Sequence, residues 1–387
     1  MDVSLFKDFW DMLVSCAPGI ENLEITIFED DRDIPGPQPF PMTHFQALRL
    51  VTFECHYPLQ RSDIVNLAHV PHLRNMQIRI NEDNESAADP DSTWPVLPFP
   101  ALREAAILGN TLQKCTELLL SISDSRFEVL EMTSEEDGLP GEVQFALSTI
   151  QRECCPQTLI RLCVDEGRDN FDSSDEDDER PPSPLRFQAF EVLFIFPNIQ
   201  YMALRLRDGV RMDNRALAQV AEAWPRLETL CLSSRVGYRG GSPGVDLLGF
   251  ITLGQKCPKL SNLSIPVNAV TRTLAGQILT NYPLSSLPQQ NTLSWIDFGS
   301  FPIGAPAIVA KFLFALFPSL SEVLGETEDH EDIWKWPNVG RLLHSFSNAS
   351  QALGPFWPAM RHGRDIPPGV EHLLGEHIIG LRGVDWQ

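Results

Sequence analysis

Two stretches decide how this chain folds: W-P-R-L-E-T-L-C-L at 224–232 and C-P-K-L-S-N-L-S-I at 257–265. Each is a Pro-led turn followed by three apolar residues, the first three positions ahead of the second and the second two ahead of the third. The same form reads F-P-N-I-Q-Y-M-A-L at 196–204 and V-P-H-L-R-N-M-Q-I at 70–78. The last two apolar positions have the period of a strand, so their side chains share one face and the first turns into the same core. A short strand that returns behind the same kind of turn means one supersecondary unit stacked many times.

Working outward, eleven such units align, with first apolar positions at Ile20, Leu48, Leu73, Leu102, Phe127, Leu159, Ile199, Leu227, Leu260, Leu293 and Leu320. The second is read as Leu48/Val51/Phe53. The last is Leu320/Val323 with Gly325 in the third slot. Between the triplets the pattern predicts helices. Asp213 caps R-A-L-A-Q-V-A-E-A-W and Pro225 stops it, Asp63 stands near the start of D-I-V-N-L-A-H, and residues 142–154 and 306–317 carry helical apolar spacing. No unit covers its own apolar face, so neighbours must stack. The expected fold is α/β, with about eleven irregular helix–strand repeats and a parallel sheet on the concave side of a horseshoe. The repeats span residues 1–325 and a C-terminal capping segment spans 326–387.

The form C-P-K-L-S-N-L-S-I, with C-A-P-G-I-E-N-L-E-I at 16–25 and C-C-P-Q-T-L-I-R-L at 154–162, resembles the cysteine-containing leucine-rich repeats of F-box proteins, especially the large fungal set with divergent repeats. The resemblance implies a leucine-rich-repeat solenoid that selects a protein substrate for a cullin ubiquitin ligase. In that family a separate F-box docks to a Skp1-like adaptor. Here residue 1 opens on the amphipathic S-L-F-K-D-F-W-D-M-L-V, so an adaptor is expected only if an F-box lies upstream. Two alternatives stand beside this reading. One is a leucine-rich-repeat regulator of a small GTPase, by a loose likeness to acidic repeat activators. The other is a partial or decayed repeat protein lacking its F-box.

Composition narrows the partners. There are 52 acids against 30 bases, a net charge of −22. Phosphate backbones and anionic membrane surfaces call for clustered Lys and Arg, so neither nucleic acid nor membrane is expected. The N-terminus carries Asp2, Lys7, Asp8 and Asp11, which interrupt any signal-peptide apolar core, and the apolar run 307–317 is cut by Lys311. The eight Cys show no metal-binding spacing and read as reduced, buried fillers. The expected compartment is cytoplasm or nucleus. There is no P-loop, no H-E-x-x-H and no G-x-S-x-G. The Gly-rich run 237–244 lacks the G-K-[ST] ending, and His330, Glu331 and His372 lie in the faded tail. No cofactor, no metal and no catalysis are expected.

Residues 165–184 interrupt the pattern: positions 165–180 hold nine acids and two Arg. Such a run predicts a disordered acidic insert. Ser173 and Ser174 precede acids and Ser183 precedes Pro184, which makes them candidate phosphorylation sites. Stretches 81–95 and 30–39 read as loops. In the tail, Trp334, Trp336, Trp357 and Trp386 are expected to cover the open end of the core. The side chains that alternate with the buried pair include Asn22, Glu24, Thr52, Asn75, Gln77, Arg79, Glu104, Glu131, Ser264 and Asp297. Among these outward positions, Arg161, Tyr201, Arg205 and Trp295 are the candidate protein-binding residues, being the types enriched at interface hot spots.

Overall fold

The structure is a computed structural model. It describes residues 12–13, 15–26, 45–46, 48–80, 94–123, 125–136, 138–139, 141–167, 183–234, 243–269, 287–301, 303–326 and 334–353. The chain divides into two compact units, Met1–Ile199 and Gln200–Gln387. Stretches 30–39, 81–93, 168–182 and 235–242, and with them Ser173, Ser174, His330, Glu331, Trp357, His372 and Trp386, lie outside the described residues.

In the first unit the strands of the main ladder are β1 (Asn22–Ile25), β2 (Thr52–Leu59), β3 (Asn75–Ile80), β4 (Glu104–Gly109), β5 (Val129–Ser134) and β6 (Arg161–Asp165). They pair in chain order, all parallel. The second unit repeats the arrangement with β7 (Tyr201–Arg205), β8 (Thr229–Cys231), β9 (Asn262–Ser264), β10 (Trp295–Ser300) and β11 (Glu322–Glu326), again in order and parallel. Parallel neighbours need a crossover, and the intervening segments supply it. These include α1 (Arg61–Leu67), α2 (Leu112–Ser121), α3 (Glu142–Glu153) and α4 (Phe187–Phe190), with a 3-10 turn at Glu191–Ile195, in the first unit. In the second they include α5 (Asn214–Ala223), α6 (Gly249–Lys256) and α7 (Pro306–Leu316), and α8 (Lys335–Leu353) follows the last strand.

Local chemistry explains the helix starts. Asp213 Oδ1 accepts from the Ala216 N–H at 2.8 Å and opens α5. Asp63 accepts from the Gln60 N–H at 3.0 Å, closing a capping box on α1. Pro306 sits in the first turn of α7, where its missing N–H costs nothing.

One hydrogen-bond device recurs at the head of the strands. A single carbonyl accepts from two successive N–H groups of the next rung: Glu21 O from Val51 and Thr52, Val51 O from Arg74 and Asn75, Arg74 O from Arg103 and Glu104. In the second unit Gln200 O serves Glu228 and Thr229, and Glu228 O serves Ser261 and Asn262. This shared acceptor sets the register before any side chain is consulted.

It also corrects the reading of the second repeat. Phe53 pairs with Leu23 and Met76, and Cys55 with Ile25 and Ile78. The core triplet is therefore Leu50/Phe53/Cys55, each at most 1% exposed, not Leu48/Val51/Phe53. Val51 is the shared-acceptor position and stays half-buried. The expectation slipped by two residues because L-R-L-V-T-F-E-C offers two apolar registers of equal period.

Inward side chains form continuous files. Phe53, Met76, Ala105, Leu130 and Leu162 lie side by side in the first unit, and Met202, Leu230, Leu263 and Ile296 in the second, all nearly or wholly buried. Each Leu-sized member contributes about 1.5–3 kcal/mol. The first rung is weaker: Ile20, Leu23 and Ile25 are not fully buried.

The final rung shows a different solution. Gly325 leaves the third slot empty, and the Trp336 ring of α8 fills it, with Trp336 only 1% exposed. That ring stacks on Phe298 at 4.5 Å and its Nε1 donates to Phe301 O at 2.9 Å. Trp334 instead stands exposed. At the acidic stretch, Asp165 ends β6 and Glu166 is buried, so these two acids belong to the rung rather than to an insert.

The cysteines are all free, but they are not uniformly filler. Cys55, Cys115, Cys154, Cys163 and Cys257 are buried, Cys155 and Cys231 half-buried, and Cys16 exposed. Cys257 explains the C-P form: its thiol donates toward Trp224 O at 3.6 Å and Ala221 O at 3.8 Å, satisfying carbonyls at the end of α5. Among the described residues no helix is long and apolar enough to cross a membrane.

Candidate binding face

The side chains that alternate with the core files stand in register on the opposite face of each ladder. In the first unit one row runs Asn22, Thr52, Asn75, Glu104, Val129, Arg161, and the next runs Glu24, Glu54, Gln77, Ala106, Glu131, Cys163. In the second unit the rows are Tyr201, Thr229, Asn262, Trp295, Glu322 and Ala203, Cys231, Ser264, Asp297, Leu324.

Arg161 is placed outward and is already engaged. Its Nε donates to Glu131 Oε1 at 2.7 Å on the neighbouring strand, and the pair is partly exposed. Such a pair contributes about 0.2–1 kcal/mol, so it orients the guanidinium more than it stabilises the ladder. Arg79 is held similarly, its Nη2 reaching Glu135 Oε2 at 2.7 Å across the strand between them.

Tyr201 and Trp295 occupy the same row, three strands apart, a span of about 14 Å at the usual strand spacing. Thr229 and Asn262 lie between them, and Asn262 Nδ2 reaches Thr229 Oγ1 at 3.4 Å. Arg205 stands on the same strand as Tyr201, four residues or about 13 Å further along. These three half-buried side chains therefore mark out a strip rather than a point. Arg161 belongs to the first unit, Met1–Ile199.

Ser264 departs from the outward expectation. It is 5% exposed, and its Oγ donates to Asp297 Oδ2 at 3.1 Å. Asp297 Oδ1 in turn accepts from Gly299 N at 2.9 Å, where Gly299 turns the chain at φ +66°. This network shapes the strand end rather than offering a free hydroxyl. Of the candidate phosphorylation sites, Ser183 is exposed just before the short strand Leu185–Arg186.

Outward residues beyond those named from the sequence include Glu54, His56 and Leu324. Glu54 and His56 were hidden by the two-residue slip, since the alternation T-F-E-C-H is plain once Phe53 is placed inward. Leu324, 44% exposed beside Asp297, was passed over because its rung ends in Gly325.

The thiols divide by environment. Burial pushes Cys55, Cys154 and Cys257 up to about 12. Cys155 is held below the ordinary thiol range, first by the Gln157 N–H and further by Thr158. At the end of the Gly-rich run, Gly244 permits a close backbone approach. A Cβ there would come within 2.5 Å of Met212 O, beside the bridge between Asp213 and Gly244.

A ladder of parallel strands joined by helix-bearing crossovers, with one Leu-rich triplet per rung and a shared acceptor at the head of the strands, is the leucine-rich-repeat fold. A scan against protein-family models matches none, and a search of curated proteins finds no relative. Among solved structures, the chain is similar to an internalin from Listeria monocytogenes, at 9% identity over 77% of this chain and 67% of that one, with a TM-score of 0.34. It is also similar to a leucine-rich-repeat protein from Leptospira interrogans, at 10% identity over 78% of this chain and 74% of that one, with a TM-score of 0.29.

Proposed function

We propose that this chain is a non-catalytic repeat scaffold that binds a protein on the outward face of its strands, as the substrate-recognition part of an F-box-type ubiquitin ligase adaptor. The observation that carries the binding half is the row Tyr201–Thr229–Asn262–Trp295–Glu322, held in register by a main-chain ladder. Two aromatic side chains on a rigid frame lose little rotamer entropy on docking and are of the types that dominate interface energetics. The C-P-x-L repeat form supports the ligase half, and α8 with its Trp336 acts as the cap that closes the last rung. A Skp1-like adaptor joins only through an F-box.

The test uses photo-crosslinking groups at Trp295 and, as a control, at Glu222 on α5. Specific adducts from 295 and none from 222 are expected, and adducts from 222 alone would remove the strand face as the docking surface. Separately, failure of the full-length gene product to bind a purified Skp1-like adaptor would remove the ligase role while leaving the binding role intact.

A further inference from the structure

Glu24, Glu54 and His56 bring two carboxylates and an imidazole together on the outward face of β1 and β2, with one ligand atom from each lying within 4.8 Å of the others. Glu24 and Glu54 stand directly opposite in the parallel register, and His56 follows Glu54 by two residues on the same face. Like charges placed opposite one another destabilise a sheet. Among the described residues neither carboxylate has an ion-pair partner; Glu24 accepts only from the Thr26 hydroxyl, at 3.2 Å. The arrangement thus concentrates negative charge around an imidazole, and no described cation pairs with either carboxylate.

We propose that these three side chains form a site for a divalent transition-metal ion of the zinc type. The donor set is the reason for that choice: imidazole nitrogen suits zinc and its neighbours, whereas magnesium and calcium sites are built from oxygen alone. Metal–ligand distances of about 2.0–2.2 Å put tetrahedral ligand atoms about 3.3–3.5 Å apart. The spread of at most 4.8 Å would have to close by about 1.4 Å on binding, a change that falls to the side chains of Glu24 and His56, which are exposed. Three protein ligands leave the fourth position open to water or to a donor from a bound protein. The inference stands on this cluster alone and does not depend on the proposed docking role.

Cobalt(II) titration of the full chain under reducing conditions tests it, because the chain also carries free thiols, Cys16 exposed among them. The expected result is one equivalent bound with visible ligand-field bands and no thiolate-to-cobalt charge-transfer band, displaced by zinc. E24Q, E54Q and H56A should each weaken that equivalent at least about tenfold, the loss that even removing an outer partner of a metal ligand brings. E54Q has a second readout: without metal it should melt no lower than the parent, since a like-charge pair is relieved, and it should lose the metal-induced rise in Tm. Equal affinity across parent and variants, or binding accompanied by the thiolate band and unaffected by these substitutions, would overturn the proposal.

Discussion

Substituting Gly325 by Ala tests the account of how the last rung is completed. An added Cβ would lie 2.7, 2.8 and 2.9 Å from Cδ2, Cγ and Cδ1 of Trp336. Carbon atoms settle at about 3.5–4.0 Å, so the indole would have to retreat by most of an ångström. It has little room to do so, being stacked on Phe298 at 4.5 Å and bonded to Phe301 O at 2.9 Å. Gly325 is needed for space and not for backbone conformation, since it is not among the glycines with positive φ. Overpacking of this kind costs about 1–3 kcal/mol, and in a unit of this size each kcal/mol lowers Tm by about 2–4 °C. Trp336→Ala alone should cost about 3–5 kcal/mol. The double variant should cost less than the sum, with a coupling of about 0.5–3 kcal/mol, because the clash vanishes with the indole. Gly340→Ala on the same helix is the control: nothing lies within 4 Å of its Cβ, so it should stabilise by about 0.5–1 kcal/mol through helix propensity. Urea melts followed by far-UV circular dichroism give all four values. An unchanged midpoint for Gly325→Ala, or strict additivity with Trp336→Ala, would refute the plug.

Leu230→Asp should unfold the second unit, because Leu230 is wholly buried between Met202 and Leu263 and an unpaired charge there has no compensation. Tyr201→Ala, on the outward face, should leave melting nearly unchanged; equal losses in the two variants would show that the inward and outward sets are exchanged. Arg161→Ala should cost about 0.2–1 kcal/mol, falling toward zero at high salt, as measured by denaturant midpoints with and without about 1 M salt. Brief alkylation at neutral pH followed by peptide mapping should mark Cys155 well before Cys154 or Cys257, since the first thiol is shifted down and the others up to about 12. The same upward shift predicts stability fully present below the unfolded thiol pKa of about 8.5 and lost as pH rises toward 12. Cys257→Ala should flatten that alkaline loss in pH-dependent melts.

The architecture was legible because the triplet obeys a period that chance does not reproduce. Where Pro leads and Leu or Ile fills the slots, as at Trp224–Leu232 and Cys257–Ile265, each apolar residue of the triplet lands in its expected slot. Helix starts were legible where a side chain satisfies the orphan N–H groups locally, as Asp213 does. The second repeat was not, since Leu48 and Leu50 both precede apolar residues at the right spacing, and only pairing with Leu23 and Met76 separates them.

The chain's linear pattern was enough to determine that Leu, Ile and Phe must stack rung on rung, because that demand comes from periodicity and the cost of exposing apolar surface. What neighbours do to one another was decided only in three dimensions. Ser264 turns to Asp297 across 33 positions of chain, and Arg161 is claimed by Glu131 across 30. Glu24 meets Glu54 and His56 from a different rung, and Trp336 enters from the next helix the space that Gly325 leaves. A rung's own sequence cannot encode which side chain of the next rung it will touch; the register between rungs does.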